Sequence, residues 1–406
     1  MRITKTHYYF WSIVLFVFHP VIETLWGPFK YFDEVFVLVT FVAIFASNGK
    51  KLFKSESLFF IEIACIILIG LVGNIISISN QIPRAIIQDL LSYVKFPLFA
   101  ITIPHIMFTE KQKIKLADML SCFIRALFLI MFFTSVASLF LNIGLSSGSR
   151  YGIRSYKFIY DSPAVLNAYY YLFMVIFSIT ITKNGKIRKN STLFLIIGLI
   201  PWLLTLRSRA IAFSAVYLII YISIIRFRND GIKYRFKWYH ILLFAVLVLL
   251  LSWNAIEKYF IDNDRVARYL LLHTSIEIAK DNFPLGTGFG TFGTEASRAF
   301  YSNIYSVYGL SRIYGLNEAH ATFVTDQYWF AVLGQFGFSG LVLFGILIGK
   351  LLRRVWKVSN NGRGNQIAGM TMIFTYLFGS LTAPTFIQAA IIPCILVIYF
   401  LRQETI

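Results

Sequence analysis

The sequence predicts an all-α polytopic membrane protein with about twelve transmembrane helices and one large loop subdomain outside the membrane. Three observations lead there. Apolar residues make up 57% of the 406 positions, Phe alone fills 41, and charged residues account for only 14%. A soluble domain this apolar has too few polar groups to cover its surface. Apolar runs of roughly 20 residues, the length a helix needs to cross the hydrocarbon, recur along the whole chain. Every second connection between those runs is basic, as expected when Lys and Arg remain on the cytoplasmic side.

The first candidate span, 8–26, is too long for a signal-peptide core and no small-residue cleavage site follows it, so it reads as a retained span. Spans two (31–47) and three (58–78) flank Lys50, Lys51 and Lys54. Span four (84–107) carries Lys95 about eleven residues in, near the bilayer middle at 1.5 Å per residue, with Gln88 and Asp89 ahead of it. Three readings follow: the span lines a polar cavity, residues 82–92 lie along the interface, or Lys95 pairs with an Asp or Glu inside the protein. Span five (119–141) follows Lys111, Lys113 and Lys115, and span six (164–182) precedes Lys183, Lys186, Arg188 and Lys189. Between them lies a Gly/Ser/Tyr-rich connection, 142–163. The short span seven (191–206) and span eight (210–226) are separated by Arg207-Ser208-Arg209. Span nine (240–256) follows Arg226, Arg228, Lys233, Arg235 and Lys237. Span ten (327–349) precedes Lys350, Arg353, Arg354, Lys357 and Arg363, and spans eleven (366–383) and twelve (385–401) are parted only by Ala383-Pro384.

With the N-terminus inside, every short, strongly basic connection falls on one side, which places both termini in the cytoplasm. The chain then divides into residues 1–256 (spans one to nine), a long outer loop subdomain at 257–326, and residues 327–406 (spans ten to twelve). The net charge of +19 is mostly orientation, and no nucleic-acid partner is expected. Cys65, Cys122 and Cys394 all lie in apolar runs, so neither a disulfide framework nor a zinc site is expected.

The informative cations are those on the outer side, where Lys and Arg are disfavoured. Arg150, Arg154 and Lys157 lie in the 142–163 connection, Arg207 and Arg209 at the junction of spans seven and eight, and Arg265 and Arg268 at the start of the long loop. Arg holds phosphate oxygens through a planar fork of donors and stays charged. Converged, these groups would make an anion site suited to a pyrophosphate at the membrane surface; taken singly, each is equally well explained by a lipid headgroup or a carboxylate. Arg209, between two apolar spans, is the one whose position most favours function.

The long loop also holds Pro284-Leu285-Gly286-Thr287-Gly288-Phe289-Gly290-Thr291-Phe292-Gly293. It evokes a nucleotide-binding glycine loop only superficially, because no strand precedes it. Its glycines read as tight turns close to a membrane or ligand, with Gly288 and Gly290 the candidates to line a bound pyrophosphate or glycan. Asp262-Asn263-Asp264 is a D-x-D triplet, more simply a solvated turn than a metal site. His320 and Asp326 precede span ten and are candidates to deprotonate an acceptor hydroxyl. Tyr301, Tyr305, Tyr308, Tyr314 and Trp329 suit stacking on sugar rings or anchoring at the interface.

Taken in order, the basic outer loop, Ser208-Arg209-Ala210, Arg268 ahead of the Pro284–Phe292 glycine run, Thr325-Asp326-Gln327-Tyr328-Trp329 and Leu333-Gly334-Gln335-Phe336-Gly337-Phe338-Ser339-Gly340 resemble the O-antigen ligase/polymerase (Wzy/WaaL-like) superfamily. The motifs cover about residues 150–345. The resemblance implies a GT-C-like, metal-independent and cofactor-free glycosyltransferase of the bacterial inner membrane, its active site and long loop facing the periplasm. It would move a glycan from undecaprenyl pyrophosphate to an acceptor. It implies catalytic roles for Arg209 and for Arg268 or Arg265, with Arg154 or Arg150 as the outer-loop arginine. Ligases of the superfamily carry a His-Asn pair just before the span after the long loop; here that place reads Asp326-Gln327, which shifts the expectation to a repeat-unit polymerase. The implied partners are lipid-linked donor and acceptor oligosaccharides and membrane lipids, with a chain-length regulator and a flippase beside them. The competing readings are an O-antigen ligase acting on lipid A–core and a lipid-linked oligosaccharide flippase, against which the absence of internal duplication counts.

Overall fold

The computed structural model describes residues 4–79, 82–183, 186–227, 246, 266–360 and 362–400. Nearly all of span nine, Arg265 and Asp262-Asn263-Asp264 lie outside the described residues. The described chain is mostly helical, and six of its helices are long and apolar enough to cross a membrane, or seven if one bent pair counts as a single span.

That bent pair is α1 (Lys5–Val17) and α2 (His19–Leu25), which meet at 69° within the first predicted span. Pro20 supplies the reason: it has no N–H to donate and its ring displaces the carbonyl one turn back. Spans two and three form one helix, α3 (Phe32–Ile76), interrupted at Asn48 (φ −142°, ψ 29°). The rings of Phe41 and Phe60 lie 6.2 Å apart, whereas the straight helix between them would measure about 28 Å. The chain therefore doubles back at Asn48, without the separate loop expected around Lys50–Lys54. Next come α4 (Pro83–Thr102), started by Pro83 at its first position, and α5 (Glu110–Phe140), opened by a Thr109–Gln112 capping box. Of the helices long enough to cross a membrane, α6 (Pro163–Thr180) is the most buried, at the centre of the bundle.

After it come α7 (Ser191–Leu203) and α8 (Ser208–Phe227). The subdomain contributes α9 (Ala267–Asp281), α10 (Glu295–Ala299) and α11 (Ile304–Val307). The last three are α12 (Tyr328–Ser359), α13 (Arg363–Gly379) and α14 (Ile391–Phe400). At 13 and 10 residues, α7 and α14 reach only about 20 and 15 Å, less than the hydrocarbon thickness. The described helices thus supply fewer full spans than the twelve that hydropathy predicts. Nor is the chain wholly α-helical. β1 (Ser146–Arg150) pairs antiparallel with β2 (Ile153–Tyr156), and β3 (Thr182–Lys183) with β4 (Lys186–Ile187). Tyr151 (φ 53°) and Gly152 (φ 75°) occupy the β1–β2 turn, the positive-φ pair that a two-residue hairpin requires.

These hairpins orient the bundle. β1–β2 leads into the N-terminus of α6, and β3–β4 leaves its C-terminus, so they mark opposite ends. Helix α13 lies antiparallel against α6: Gly364 backs onto Ser178, and Gly379 onto Tyr171.

The glycine run is a wedge between helices. A Cβ on Gly286 would strike the Gly334 carbonyl, one on Gly288 (φ +89°) the backbone N of Asn74, and one on Gly290 (φ +74°) Ala85. In return the wedge is hydrogen-bonded to the helices on both sides. Asn74 accepts from Phe289 N and donates to its carbonyl, both at 2.9 Å, and Asp89 accepts from Gly290 N at 2.7 Å. On the α12 side, Gly288 N donates to the Gln335 carbonyl (2.8 Å) and Gln335 Nε2 to the Phe292 carbonyl (2.6 Å). Beyond the wedge, residues 266–326 gather their own small core from Leu271, Ile278, Phe292, Ile304, Tyr305 and Leu316. Tyr308 closes that subdomain by donating to Asp281 (2.9 Å); burial, with that carboxylate beside it, pushes the phenol up to about 12, so it remains a donor near neutrality.

Lys95 is neutralised inside the bundle. Its Nζ lies 2.5 Å from Asp33 Oδ2 and 2.7 Å from Glu34 Oε1, all three side chains being buried. Of the three sequence readings, the intraprotein pair is the one observed, and it holds the start of α3 against the middle of α4.

Two predictions follow from this packing. Gly288→Ala combines left-handed strain with overpacking and costs about 2–5 kcal/mol. Gly144→Ala, at φ +76° in open space, costs only the strain, about 1–2 kcal/mol. Thermal unfolding of the two purified variants checks the difference, and equal midpoints contradict the wedge. Lys95→Met strands two buried carboxylates and destabilises by about 3–5 kcal/mol; adding Asp33→Asn and Glu34→Gln recovers more than half of that loss in the same measurement.

Candidate functional site

The end of the bundle that carries β1–β2 also gathers most of the predicted site residues. The hairpin is tied to the α7–α8 connection: Ser155 Oγ donates to the Thr205 carbonyl (2.6 Å) and Tyr156 N to the Leu204 carbonyl (2.9 Å). This holds the hairpin beside the segment that bears Arg207 and Arg209. Arg150 and Arg154 are exposed on the hairpin, Lys157 is half-buried at its base, and Arg207 and Arg209 are half-buried at the start of α8.

Arg209 reaches the connector between α13 and α14, where Nη1 donates to the Thr382 carbonyl at 3.4 Å. It also lies near enough to Tyr171 for its charge to act on the phenol. Tyr171 is oriented by a chain of amides: Trp202 Nε1 donates to Asn167 Oδ1 (2.7 Å), and Asn167 Nδ2 to Tyr171 OH (3.1 Å). The same connector holds the start of α12 from the other side. Tyr328 N donates to the Ser380 carbonyl (3.3 Å), and Trp329 Nε1 to Ser380 Oγ (2.8 Å). Residues 380–382 are thus the shared edge on which Arg209 and the Asp326–Trp329 segment meet.

Arg268 and Asp326 are brought together directly. Arg268 donates through Nε and Nη2 to Asp326 Oδ2 at 3.1 and 3.0 Å. A cation expected to grip phosphate and a carboxylate expected to act as base are therefore each other's partners, joining the first turn of α9 to the residues before α12. Between Asp326 and Tyr328 sits Gln327, only 2% exposed, with neither side-chain amide atom hydrogen-bonded among the described residues. A buried, unsatisfied amide costs about 1–3 kcal/mol, and a ligand that bonds it removes that cost.

The remaining candidates have other surroundings. Gly288 and Gly290 are buried, and their N–H groups are bonded to Gln335 and Asp89, so they hold the wedge and offer no donor to a pyrophosphate. His320 is exposed on a 3-10 turn, its ring 5.4 Å from Tyr314. Arg265 lies outside the described residues. Tyr305, a candidate for sugar stacking, is buried; its hydroxyl accepts from Gly293 N (2.8 Å) and shares a hydrogen bond with Ser297 Oγ (2.8 Å). Sequence reading missed Tyr171, Asn167 and Ser380, whose only signal is the i, i+4 spacing of Asn167 and Tyr171 within an apolar run. Among the described residues, no three His, Cys, Asp or Glu side chains gather as a metal site requires.

Electrostatically the edge offers one guanidinium, Arg209, bonded to a neutral carbonyl alone among the described residues, beside a neutralised Arg268–Asp326 pair. A phenol and an unsatisfied amide complete it. Such a set binds and stabilises an anion by hydrogen bonds from several directions. No family model, curated protein or solved structure matches this chain.

The unsatisfied amide gives a prediction. Gln327→Leu, similar in length and without polar atoms, raises stability by about 1 kcal/mol, seen as a higher thermal midpoint. A lower midpoint shows that the amide already has partners in the folded protein.

Proposed function

We propose that the chain is a repeat-unit polymerase for a bacterial surface polysaccharide, either O-antigen or capsule/exopolysaccharide. It transfers a growing glycan from undecaprenyl pyrophosphate to the non-reducing end of another lipid-linked repeat unit. The β1–β2 end of the bundle faces the periplasm and the basic connections face the cytoplasm. The observation that carries this reading is the meeting of Arg209 with the Asp326–Gln327 segment along residues 380–382.

The acceptor hydroxyl oxygen forms the new bond to the anomeric carbon, and the bond from that carbon to the pyrophosphate oxygen breaks. The electron pair leaves with the undecaprenyl pyrophosphate. Arg209, with Tyr171 donating beside it, stabilises the negative charge that develops on this leaving group. Arg268 joins them once the lipid pyrophosphate competes for its guanidinium. The hydroxyl proton passes to a carboxylate, and this reading favours Asp326 over His320 because Asp326 adjoins the arginine edge. Attack from the face opposite the leaving group inverts the anomeric configuration. The flippase reading has one observation in its favour, the Lys95–Asp33–Glu34 cluster inside the bundle, because intramembrane ionisable groups also mark transport paths.

The test is chain growth by the reconstituted protein on an undecaprenyl-pyrophosphate repeat unit with EDTA present. Arg209→Ala is expected to lower turnover by about 10²–10³ while the protein stays folded, and Arg209→Lys by less. Undiminished turnover in folded Arg209→Ala rejects the arginine mechanism. Transfer that needs added lipid A–core identifies a ligase, and movement of the lipid across the bilayer without a new glycosidic bond identifies a flippase.

A further inference from the structure

We propose that the opposite end of the bundle carries a binding site for the phosphate headgroup of an anionic phospholipid. A cavity of about 540 Å³ opens there, lined by Arg125, Lys183, Lys186, Ile187, Arg188 and Lys189. It lies where α5, the β3–β4 hairpin and the N-terminus of α7 converge, at the other end of α6 from Arg209. This site is independent of the glycosyl-transfer reading.

The charge balance is lopsided. Five cations line the cavity, and one carboxylate answers them: Asp118 accepts from Lys183 Nζ at 3.0 Å and from Arg188 Nη2 at 2.5 Å. Arg125, Lys186 and Lys189 have no carboxylate among the described residues. Cations gathered this closely repel one another until an anion joins them.

Specific donors are also in place. Arg188 Nε is buried without a hydrogen-bond partner among the described residues, a state that costs free energy until an acceptor arrives. Arg125 is oriented from two sides: its guanidinium stacks over the Phe194 ring at 4.9 Å, and Nη2 donates to Ser191 Oγ at 3.4 Å. Helix α7 begins at the same place, with no side chain capping its first turn, so the N-terminal N–H groups add positive potential toward an anion.

The surroundings select a lipid over a free anion. Ile187 is part of the cavity wall, and the α7 side chains Leu193 and Ile196 are 54% and 52% exposed just beyond it. A phosphate seated among the cations leaves its acyl chains lying along this apolar strip. Anionic headgroups gain most where basic side chains gather at the end of a transmembrane helix.

The experiment is native mass spectrometry of the full-length protein in mild detergent, titrated with dioleoylphosphatidylglycerol and, separately, with dioleoylphosphatidylcholine. The phosphatidylglycerol is expected to bind about tenfold or more tightly than the phosphatidylcholine. The exposed pair Lys186→Gln/Lys189→Gln weakens phosphatidylglycerol binding about 25-fold, near fivefold for each cation removed, and leaves phosphatidylcholine unchanged. Arg353→Gln/Lys357→Gln, which removes the same charge from exposed positions on α12, leaves both affinities unchanged. The proposal is overturned by equal affinity for the two lipids, or by equal losses in the two double variants. It is also overturned if millimolar inorganic phosphate displaces the phosphatidylglycerol, because the site then takes a free anion.

Discussion

The glycine wedge is the contact on which the rest of the arrangement depends. Residues 286–293 press backbone against backbone onto α3, α4 and α12, an approach that a single Cβ at Gly286, Gly288 or Gly290 would block. Away from water, every amide in such a contact needs a partner. The bundle supplies them from Asn74, Asp89 and Gln335, three polar side chains with no other evident reason to be buried beside hydrocarbon. The wedge thereby fixes the loop subdomain on the bundle. With it are fixed Arg268, at the head of α9, and Asp326, at the subdomain's exit. Chemistry that depends on Arg209 from one part of the chain and Asp326 from another needs that rigid join, because a displacement of about 1 Å is enough to lose most of the benefit of prearranged donors.

The two ends of the bundle treat charge differently. Inside, cations are matched: Lys95 has two carboxylates, and at the far end Arg354 reaches Glu56 while Lys350 reaches Glu62. At the β1–β2 end, by contrast, Arg209 meets a backbone carbonyl and the exposed hairpin arginines extend into solvent. The cavity between α5 and α7 is the second place where cations outnumber acids. Matched charge serves folding, because an unpaired ion in a low-dielectric interior is expensive. Unmatched charge at the bundle ends is therefore where ligands of opposite sign gain most, and both places suit phosphate.

The class of fold was legible because hydropathy integrates over twenty residues and tolerates local error. Its finer divisions were not. Hydropathy cannot register that Asn48 folds one helix back on itself or that Pro20 bends the first span, because both events turn on the dihedral angles of one or two residues. The hairpin at 146–156 was missed because its strands are short, polar and Ser-rich, with no alternation to mark them. Among site residues, the arginines were legible as exceptions to the sidedness of basic residues. The pairing of Arg268 with Asp326 was not, since it joins positions 58 apart in sequence. The glycine run drew attention for the wrong reason: its glycines signalled close approach, but the neighbour is a helix backbone and no ligand.

Three polar groups with incomplete partners meet around the 380–382 edge. Arg209 sits at the end of an apolar helix without a carboxylate among the described residues. Gln327 is buried with both amide atoms unsatisfied among the described residues, although the equally buried Asn74 is bonded through both of its own. Tyr171 accepts from Asn167, and no acceptor for its own hydroxyl proton is found among the described residues. Each is a small cost in stability, and a sequence free to vary for stability alone has easy replacements in Leu, Leu and Phe. These three lie around one short connector. Local violations that converge in space mark the places where a sequence answers to something besides its own fold. What would satisfy an arginine, an amide and a phenol together is an oxygen-rich anion entering from the subdomain side.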